Sequence, residues 1–337
     1  MTQYYFDKKS GPTFAVLGVG AVGGLYGGLL ARAGYEVHFL ARSDFDQLSA
    51  TGLNIESPLG NFQINPSVYS SVHSMPQVDC VIVSWKTTAN ENLPRLLEHF
   101  KSSKPVVLVL QNGLNVEASA ASVVGAESVF GGCCFLCCNR IGPGQIKHLD
   151  YGRIAIGAYA GSVTEQASST NSPGRSLPAE MLSVVDALRQ TGIEIQVADS
   201  LAEIRWKKLA WNIPYNGLSV VLNADTAEIM NEPQACKLAE ELMEEVAASA
   251  KACGISVGRD HIEKMLADTR VMVPYASSML LDFQNGRPME VEAIFGNPLR
   301  EAQAAGFHPR KIEMLYRQLK FIDSRATAMS ITRSRTV

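Results

Sequence analysis

Residues 13–24 read TFAVLGVGAVGG, and this stretch decides the fold of the first half of the chain. The apolar run TFAVLG (13–18) predicts a strand that is buried on both faces. Glycines at positions 18, 20 and 23 form the pattern GxGxxG, and AVGGLYGGLLARAG (21–34) predicts a helix that Gly34 closes. A strand, a glycine turn and a helix in this order are typical of a dinucleotide-binding sheet.

Each glycine of this turn has its own physical role. Gly18 permits a tight turn, Gly20 lets the backbone approach a pyrophosphate, and Gly23 allows the helix to pack closely on the strand. Free N–H groups at the start of the helix, at Ala21 and Val22, favour anionic phosphates. The alternative is a glycine-rich seam for helix packing. We favour the dinucleotide interpretation because the motif stands between a strand and a helix near the N-terminus.

The rest of the first half alternates strand and helix patterns, and the second half is helical. Strand patterns are EVHFLA (36–41), VDCVIVSW (78–85), PVVLVLQNG (105–113) and IEIQVA (193–198), and helix patterns are ENLPRLLEHF (91–100) and PAEMLSVVDALRQTG (178–192). Long helices are predicted over 201–221, 234–253, 259–269, 275–285, 290–305 and 308–328. The fold class is therefore α/β, with an N-terminal Rossmann-type doubly wound sheet (1–199) and a C-terminal all-α domain (200–337).

Composition narrows the classes of function. The 337 residues are 46% hydrophobic and 19% charged, which suits about two globular domains. The net charge is −3 and Lys and Arg are not clustered, so nucleic acid is not an expected partner. No apolar run reaches the roughly 18 to 20 residues of a membrane helix. The polar start MTQYYFDKKSGP (1–12) lacks the apolar core of a signal peptide, and GSVTEQASSTNSPGRSLP (161–178) predicts a surface loop.

Four of the seven cysteines crowd into GGCCFLCCNR (131–140). One interpretation is a metal or redox CxxC site formed by Cys134 and Cys137. The favoured one is a buried strand that uses thiols as small apolar side chains, because no second Cys/His pair has zinc-ligand spacing. We therefore predict no metal. Unpaired thiols in a chain of this size indicate a reducing compartment, the cytoplasm.

The second strand ends in HFLARSD (38–44), where NAD-binding sites often carry an acidic residue that accepts hydrogen bonds from the adenosine ribose. Arg42 instead offers a planar cation that suits a 2′-phosphate, with the Ser43 hydroxyl beside it. Asp44 is the rival ribose ligand, and Arg42 is preferred because Asp44 falls beyond the strand end. The predicted cofactor is NADPH/NADP.

The first long helix of the second half carries Lys208, Asn212 and Asn216 at intervals of four, close to one helix face. Pro214 lies in the same segment and would kink the helix and free a carbonyl. From periodicity alone, a functional polar line and a solvated face like that of Lys207 are about equally supported.

Taken together, these motifs resemble the ketopantoate reductase (2-dehydropantoate 2-reductase) family. The resemblance runs from Gly18 to about residue 320 and rests on WK (85–86), QNG (111–113), WKKLAWNIPYN (206–216) and SSMLLDFQNGRPMEVE (277–292). It implies NADPH-dependent reduction of a small-molecule 2-oxo acid, first of all 2-dehydropantoate to pantoate, in pantothenate and coenzyme A biosynthesis. The alternatives are a related 2- or 3-hydroxy-acid dehydrogenase and a non-catalytic NADP-sensing protein.

The resemblance also implies site residues. Lys208 is similar to the family's catalytic lysine, which protonates the keto oxygen, and Asn212 and Asn216 are similar to its substrate-binding asparagines. Ser278 would bind the substrate carboxylate. Glu290 would accept a hydrogen bond from the substrate hydroxyl, with Glu292 as its competitor.

Two residues of the first half join this set through the same resemblance. Asn112 would touch both the nicotinamide ribose and the substrate, and Lys86 would lie near cofactor and substrate. A homodimer is one way in which the apolar helices of the second half could be covered.

Overall fold

The computed structural model describes residues 10–161 and 177–334, with side chains described as far as Arg325. Residues 162–176 of the predicted surface loop and residues 1–9 of the polar start lie outside these residues. Contacts divide the described chain into two compact units. Among the described residues, the first unit comprises the chain up to Gln111, Glu117–Ala160 and the residues from 177 to Leu201. The second unit comprises Asn112–Val116 and the chain from Ala202 onwards. The boundaries predicted from the sequence, 1–199 and 200–337, remain a proposal.

The first unit is built on a sheet of ten strands within the described residues. Its strands are β1 (Phe14–Leu17), β2 (Val37–Leu40), β3 (Leu53–Glu56), β4 (Phe62–Ile64), β5 (Ser67–Tyr69), β6 (Cys80–Val83), β7 (Val106–Val109), β8 (Val129–Gly142), β9 (Gln145–Ala158) and β10 (Ile195–Val197).

Six strands run parallel in the order β5-β2-β1-β6-β7-β8. Numbered along the chain, these six have the order 3-2-1-4-5-6 of a doubly wound sheet, so the predicted fold class is confirmed. β1, β6 and β7 are buried at every residue, as expected of strands covered on both faces. Beyond β8 the sheet continues through antiparallel β9 to β3 and β4, and β10 pairs with β9.

The predicted helices lie where the sequence patterns place them and differ in some bounds, and three further short helices among the described residues were not predicted. In the first unit they are α1 (Ala21–Arg32), α2 (Phe45–Thr51), α3 (Leu93–Leu97), α4 (Ala118–Val124) and α5 (Ala179–Arg189). The others are α6 (Leu201–Leu222), α7 (Thr226–Asn231), α8 (Pro233–Ala252), α9 (Arg259–Val271), α10 (Ser278–Gln284), α11 (Asn297–Ala304) and α12 (Arg310–Ser334). The second unit has its own core, in which Trp206, Tyr215 and Phe295 are fully buried.

Two predictions about elements need correction. The helix predicted at 91–100 shrinks to α3, between 3₁₀ turns at Thr87–Asn92 and Glu98–Ser103. The segment 290–305 opens with a π-helical turn at Glu292–Gly296 before α11 begins. In addition, the stretch after β2, for which no strand was predicted, contains β3, β4 and β5, which are short and partly exposed and therefore lack a long apolar run.

The four clustered cysteines lie in β8, are buried and are free thiols, so the buried-strand interpretation is confirmed. Neighbouring side chains of a strand point to opposite faces, which separates Cys134 from Cys137. Burial, followed by the nearby Asp150 charge, raises the pKa of Cys137 to about 11. Burial and then Cys137 raise that of Cys138 to about 12. Within the described residues, no group of three or more His, Cys, Asp and Glu side chains could hold a metal.

None of the helices in the described part of the chain combines the length and apolar character that crossing a membrane requires.

Helix α1 lies against the sheet along a seam of glycines. A Cβ on Gly27 would lie 2.6 Å from Cε1 of Phe39 and 3.0 Å from Cγ2 of Val16. A Cβ on Gly24 would likewise meet the side chain of Ile146, and a Cβ on Gly28 would meet the side chain of Ile55. The seam sets the distance between α1 and the sheet, because these neighbours are buried and have no room to move.

We expect Gly27→Ala to lower the free energy of unfolding. Overpacking a buried site costs about 1–3 kcal/mol, whereas removing a helical glycine gains at most about 1 kcal/mol. Denaturant unfolding measures the difference. Gly20→Ala is the control, because a Cβ there meets nothing within 4 Å. An equal loss of stability in both variants would contradict the claim that close packing at Gly27 leaves no room for a side chain.

Candidate active site

The glycine turn has the tight turn and the close helix packing predicted for Gly18 and Gly23, and the role of Gly20 at a pyrophosphate stays a prediction. Gly18 has φ +103°, and a Cβ on it would lie 2.7 Å from Cβ of Trp85. A Cβ on Gly23 would overlap the carbonyl oxygen of Gly18 and the hydroxyl of Ser84, whereas the space around Gly20 is open. The first turn of α1, which begins with Ala21 and Val22, contains no acidic residue. These features fit the backbone approach and the anionic phosphates of a dinucleotide.

A cavity of about 330 Å³ lies beside this turn, within the first unit. Its charged lining comprises three guanidinium groups, those of Arg42, Arg95 and Arg140, and one carboxylate, that of Asp44. The other lining residues are Gly18, Val19, Gly20, Leu40, Ala41, Ser43, Ser70, Ser71, Val72, His73, Trp85, Ala89, Asn92 and Leu96. The surplus of guanidinium groups makes the cavity suitable for an anionic ligand.

Arg42 and Asp44, the two candidate cofactor ligands after β2, differ in exposure and in hydrogen bonding. The Arg42 side chain is exposed, and Asp44 is buried, at 5% exposure. Arg140 donates hydrogen bonds from Nε to Oδ2 of Asp44 at 2.9 Å and from Nη2 to Oδ1 at 2.5 Å. The Ser43 hydroxyl also donates to Oδ1 of Asp44, at 2.8 Å. The Asp44 carboxylate is therefore already occupied by protein donors.

A hydrogen-bond network fixes the chain at the carboxyl end of β6. Nε1 of Trp85 donates to Oδ1 of Asn90 at 3.0 Å. Nε2 of Gln111 donates to the same oxygen at 2.7 Å and to the carbonyl of Trp85 at 3.0 Å. Lys86 follows Trp85, is half-buried and precedes the 3₁₀ turn at Thr87–Asn92. The predicted role of Lys86 remains a prediction.

Asn112 belongs to the second unit, in a segment that packs on the residues before and within α11. Gly113 has φ +109°, and a Cβ there would lie 2.5 Å from the carbonyl oxygen of Ala293. The N–H of Leu114 donates to that same carbonyl at 2.9 Å. Nδ2 of Asn297 donates to the carbonyl of Leu114 at 2.6 Å. The QNG turn therefore depends on its glycine, and Asn112 is half-buried at its start.

Helix α6 carries the polar line predicted in the second unit. Asn212 and Asn216 are 4% and 3% exposed. Neither side-chain amide makes a hydrogen bond to another residue in the part of the chain that the structure describes. Lys208, one turn before Asn212, is half-buried. Its neighbour Lys207 instead pairs with Glu203 at 2.5 Å, as a partly exposed i,i+4 ion pair.

Buried hydroxyls join α6 to the start of α10. The Ser219 hydroxyl donates to the carbonyl of Asn216 at 3.1 Å and lies 2.6 Å from the hydroxyl of Ser277. Ser277 is also the N-cap of α10 and accepts a hydrogen bond from the N–H of Leu280 at 3.1 Å. Ser278, the predicted carboxylate ligand, is the first residue of α10 and is half-buried.

The two competing glutamates differ in their surroundings. Glu290 is 6% exposed. Glu292 is half-exposed and pairs with Arg300 and Lys320, both at 3.0 Å, and accepts a hydrogen bond from Tyr316. Burial alone would raise the pKa of Glu292, but the hydrogen bonds from Tyr316, Lys320 and Arg300 lower it. Glu292 is thus part of a surface ion-pair network, and the choice of Glu290 as the functional carboxylate stays a prediction.

Sequence reasoning missed Arg140, Gln111 and Ser219. Arg140 follows the cysteines of β8, and only the pairing with Asp44 gives it meaning. Gln111 stands inside the QNG motif, directly before Asn112, so the motif itself carried a signal for it. Ser219 lies one helical turn after Asn216 and continues the same polar line.

Comparison with known proteins gives the family context. The family models "Ketopantoate reductase PanE/ApbA" and its C-terminal counterpart match residues 14–161 and 200–323. A 2-dehydropantoate 2-reductase of Nostoc sp. is 44% identical over 320 residues, covering 95% of this chain and 98% of that protein.

Solved structures agree with this match. A 2-dehydropantoate 2-reductase from Geobacter metallireducens is 34% identical, with a TM-score of 0.85, covering 91% of this chain and 99% of its own. The ternary structure of D-mandelate dehydrogenase with NADH and anilino(oxo)acetate shares the fold at 21% identity, with a TM-score of 0.78 and coverage of 93% and 99%. Both halves of the chain match, the identity to the Nostoc protein is high, and this protein therefore belongs to the ketopantoate reductase family of oxidoreductases.

Proposed function

We propose that this oxidoreductase reduces 2-dehydropantoate to pantoate with NADPH as the hydride donor. The observation that carries the proposal is the pair of Asn212 and Asn216 amides, one and two turns after Lys208. The two residues are 4% and 3% exposed, and neither amide bonds another described residue, so the little surface they keep is polar and available to a ligand. A 2-oxo acid with a hydroxyl and a carboxylate supplies hydrogen-bond partners for these amides.

The family is that of NAD(P)-dependent oxidoreductases, and the choice of NADPH is part of the proposal. Bound NADPH would supply the hydride that converts the ketone carbon into a secondary alcohol. The open backbone at Gly20 would hold the pyrophosphate. Arg42 would meet the 2′-phosphate in the neighbouring cavity, supported by its exposed, cationic position there.

Lys208 has the chemistry that the reacting oxygen needs. Negative charge develops on the keto oxygen as the carbonyl carbon is reduced, and an ammonium group both stabilises that charge and donates the proton that completes the alcohol. Water then returns a proton to the amine. Asn212, Asn216, Ser278 and Glu290 would orient the substrate through its carboxylate and hydroxyl. Asn112 and Lys86 would contribute at the nicotinamide end.

Location and assembly complete the proposal. The seven cysteines are free thiols, which supports a reducing compartment such as the cytoplasm. We also propose a homodimer.

Light scattering during size-exclusion chromatography would measure the molar mass of the protein in solution and so test the homodimer, and a mass equal to that of one chain would refute it.

Lys208→Ala should lower kcat for 2-dehydropantoate by about hundredfold or more, the usual loss when a general acid is removed. The measurement is the decrease of NADPH absorbance, with a panel of other 2-oxo acids assayed in parallel. Lys207→Ala is the matched control, since Lys207 serves a partly exposed ion pair of small energetic value. Full activity of Lys208→Ala would remove this lysine from the mechanism, and a better substrate in the panel would replace 2-dehydropantoate.

Glu290→Ala should raise the KM for the 2-oxo acid by about tenfold, because a hydrogen bond to a charged group contributes about 1.5–3 kcal/mol. Glu292→Ala is the control, and its KM should stay within about twofold, because Glu292 is occupied by Arg300, Lys320 and Tyr316. Steady-state kinetics of both variants at saturating NADPH decide the assignment. The opposite ranking of the two KM values would transfer the role to Glu292.

Arg42→Asp should move the preference from NADPH towards NADH, lowering the ratio of the two kcat/KM values by about tenfold or more. The new carboxylate would repel a 2′-phosphate and accept hydrogen bonds from a ribose. Arg42→Lys keeps the charge and should retain most of the preference. An unchanged ratio in Arg42→Asp would refute the role of Arg42.

A further inference from the structure

Arg140 forms an ion pair with Asp44 in the lining of the cavity beside the glycine turn. It lies near the end of β8, and Asp44 stands at the N-cap position of α2, beyond β2, without a side-chain capping hydrogen bond. Two parallel hydrogen bonds join them, from Nε to Oδ2 and from Nη2 to Oδ1. The Asp44 side chain is 7% exposed and that of Arg140 is 36% exposed. Such a bidentate pair fixes the plane of the guanidinium.

The pair changes what Asp44 can do. A free carboxylate beyond β2 would accept hydrogen bonds from a ribose and would repel a 2′-phosphate. Here its oxygens accept from Arg140 and from the Ser43 hydroxyl, and the guanidinium compensates its charge. An acidic residue is present in this sequence where an NAD-binding protein would use one, but protein donors already occupy it.

Arg140 keeps donors for a ligand. A guanidinium has five N–H donors, and Asp44 takes one from Nε and one from Nη2. The remaining N–H groups make no hydrogen bond to another residue within the described ranges 10–161 and 177–334. Arg42 and Arg140 line the same cavity.

We infer that Arg140 is a second specificity-determining residue, which binds the 2′-phosphate of the dinucleotide together with Arg42 while it neutralises Asp44. This inference rests on the proposed use of NADPH. Asp44 acts as the positioning residue, because it orients the guanidinium before the ligand arrives. Pre-orientation lowers the entropy cost of binding, and Arg42, which is exposed, lacks it.

The test uses 2′,5′-ADP and 5′-AMP as probes, because they differ only in the 2′-phosphate and require no catalysis. Isothermal titration calorimetry measures the dissociation constants of both for the wild type and for Arg140→Gln. We expect the variant to bind 2′,5′-ADP on the order of tenfold more weakly or worse. Its affinity for 5′-AMP should change far less. An undiminished advantage of 2′,5′-ADP over 5′-AMP in this variant would overturn the inference.

Asp44→Asn/Arg140→Gln removes both charges and covers the case in which Arg140→Gln alone leaves Asp44 uncompensated and unstable. If Arg140 contacts the phosphate, the double variant also loses affinity for 2′,5′-ADP. Recovery of the wild-type affinity would mean that Arg140 only masks Asp44, which would overturn the contact.

Arg153→Gln is the matched control. Arg153 lies on β9, stacks on Phe135 and donates a hydrogen bond to Gln196, so both probes should bind to the variant as to the wild type. A loss equal to that of Arg140→Gln would overturn the inference by showing a nonspecific effect of charge. Equal binding of the two probes to the wild type would instead refute the proposed use of NADPH itself.

Discussion

The fold of the first unit depends on how closely backbone can approach backbone at the glycine turn. The Ser84 hydroxyl donates to the carbonyl of Gly18 at 2.9 Å, and the N–H groups of Ser84 and Trp85 both donate to the carbonyl of Leu17 at 3.1 Å. Any side chain on Gly23 would overlap that same Gly18 carbonyl. The end of β6 is thereby tied to the end of β1, where a doubly wound sheet binds its ligand.

Sequence patterns predicted the parts of the fold in which local chemistry and tertiary environment agree. β1, β6 and β7 are buried on both faces, so they appear in the sequence as unbroken apolar runs. β3 alternates buried and exposed residues over only four positions, and β4 and β5 are shorter still. Segments of this length carry too little periodicity, and their pairing partners define them. β3 joins the sheet through β9, far along the chain.

The same limit applies to the candidate site. Lys208, Asn212 and Asn216 share a helix, so their spacing indicated one face in advance. The pairing of Asp44 with Arg140 could not be predicted, because the two residues are 96 positions apart and their contact forms only when β8 has joined the sheet. The glutamates of PMEVE are only two residues apart, and the sequence left them as competitors. Only packing distinguishes the buried Glu290 from Glu292 in its network of ion pairs.

The Asn212 and Asn216 amides of α6 would determine how the proposed substrate is selected. They keep a small contact with solvent, since Nε1 of Trp206 is the fully buried side-chain nitrogen without a partner within the described residues. A ligand that covers these amides must supply oxygens to bond them, whereas an analogue without such oxygens would leave them unpaired, at a cost of about 1–3 kcal/mol each. Sites built on hydrogen bonds reject such analogues far more strongly than apolar pockets reject a missing methylene. Selection on this helix would therefore follow the pattern of oxygens in the 2-oxo acid more than the size of its carbon skeleton.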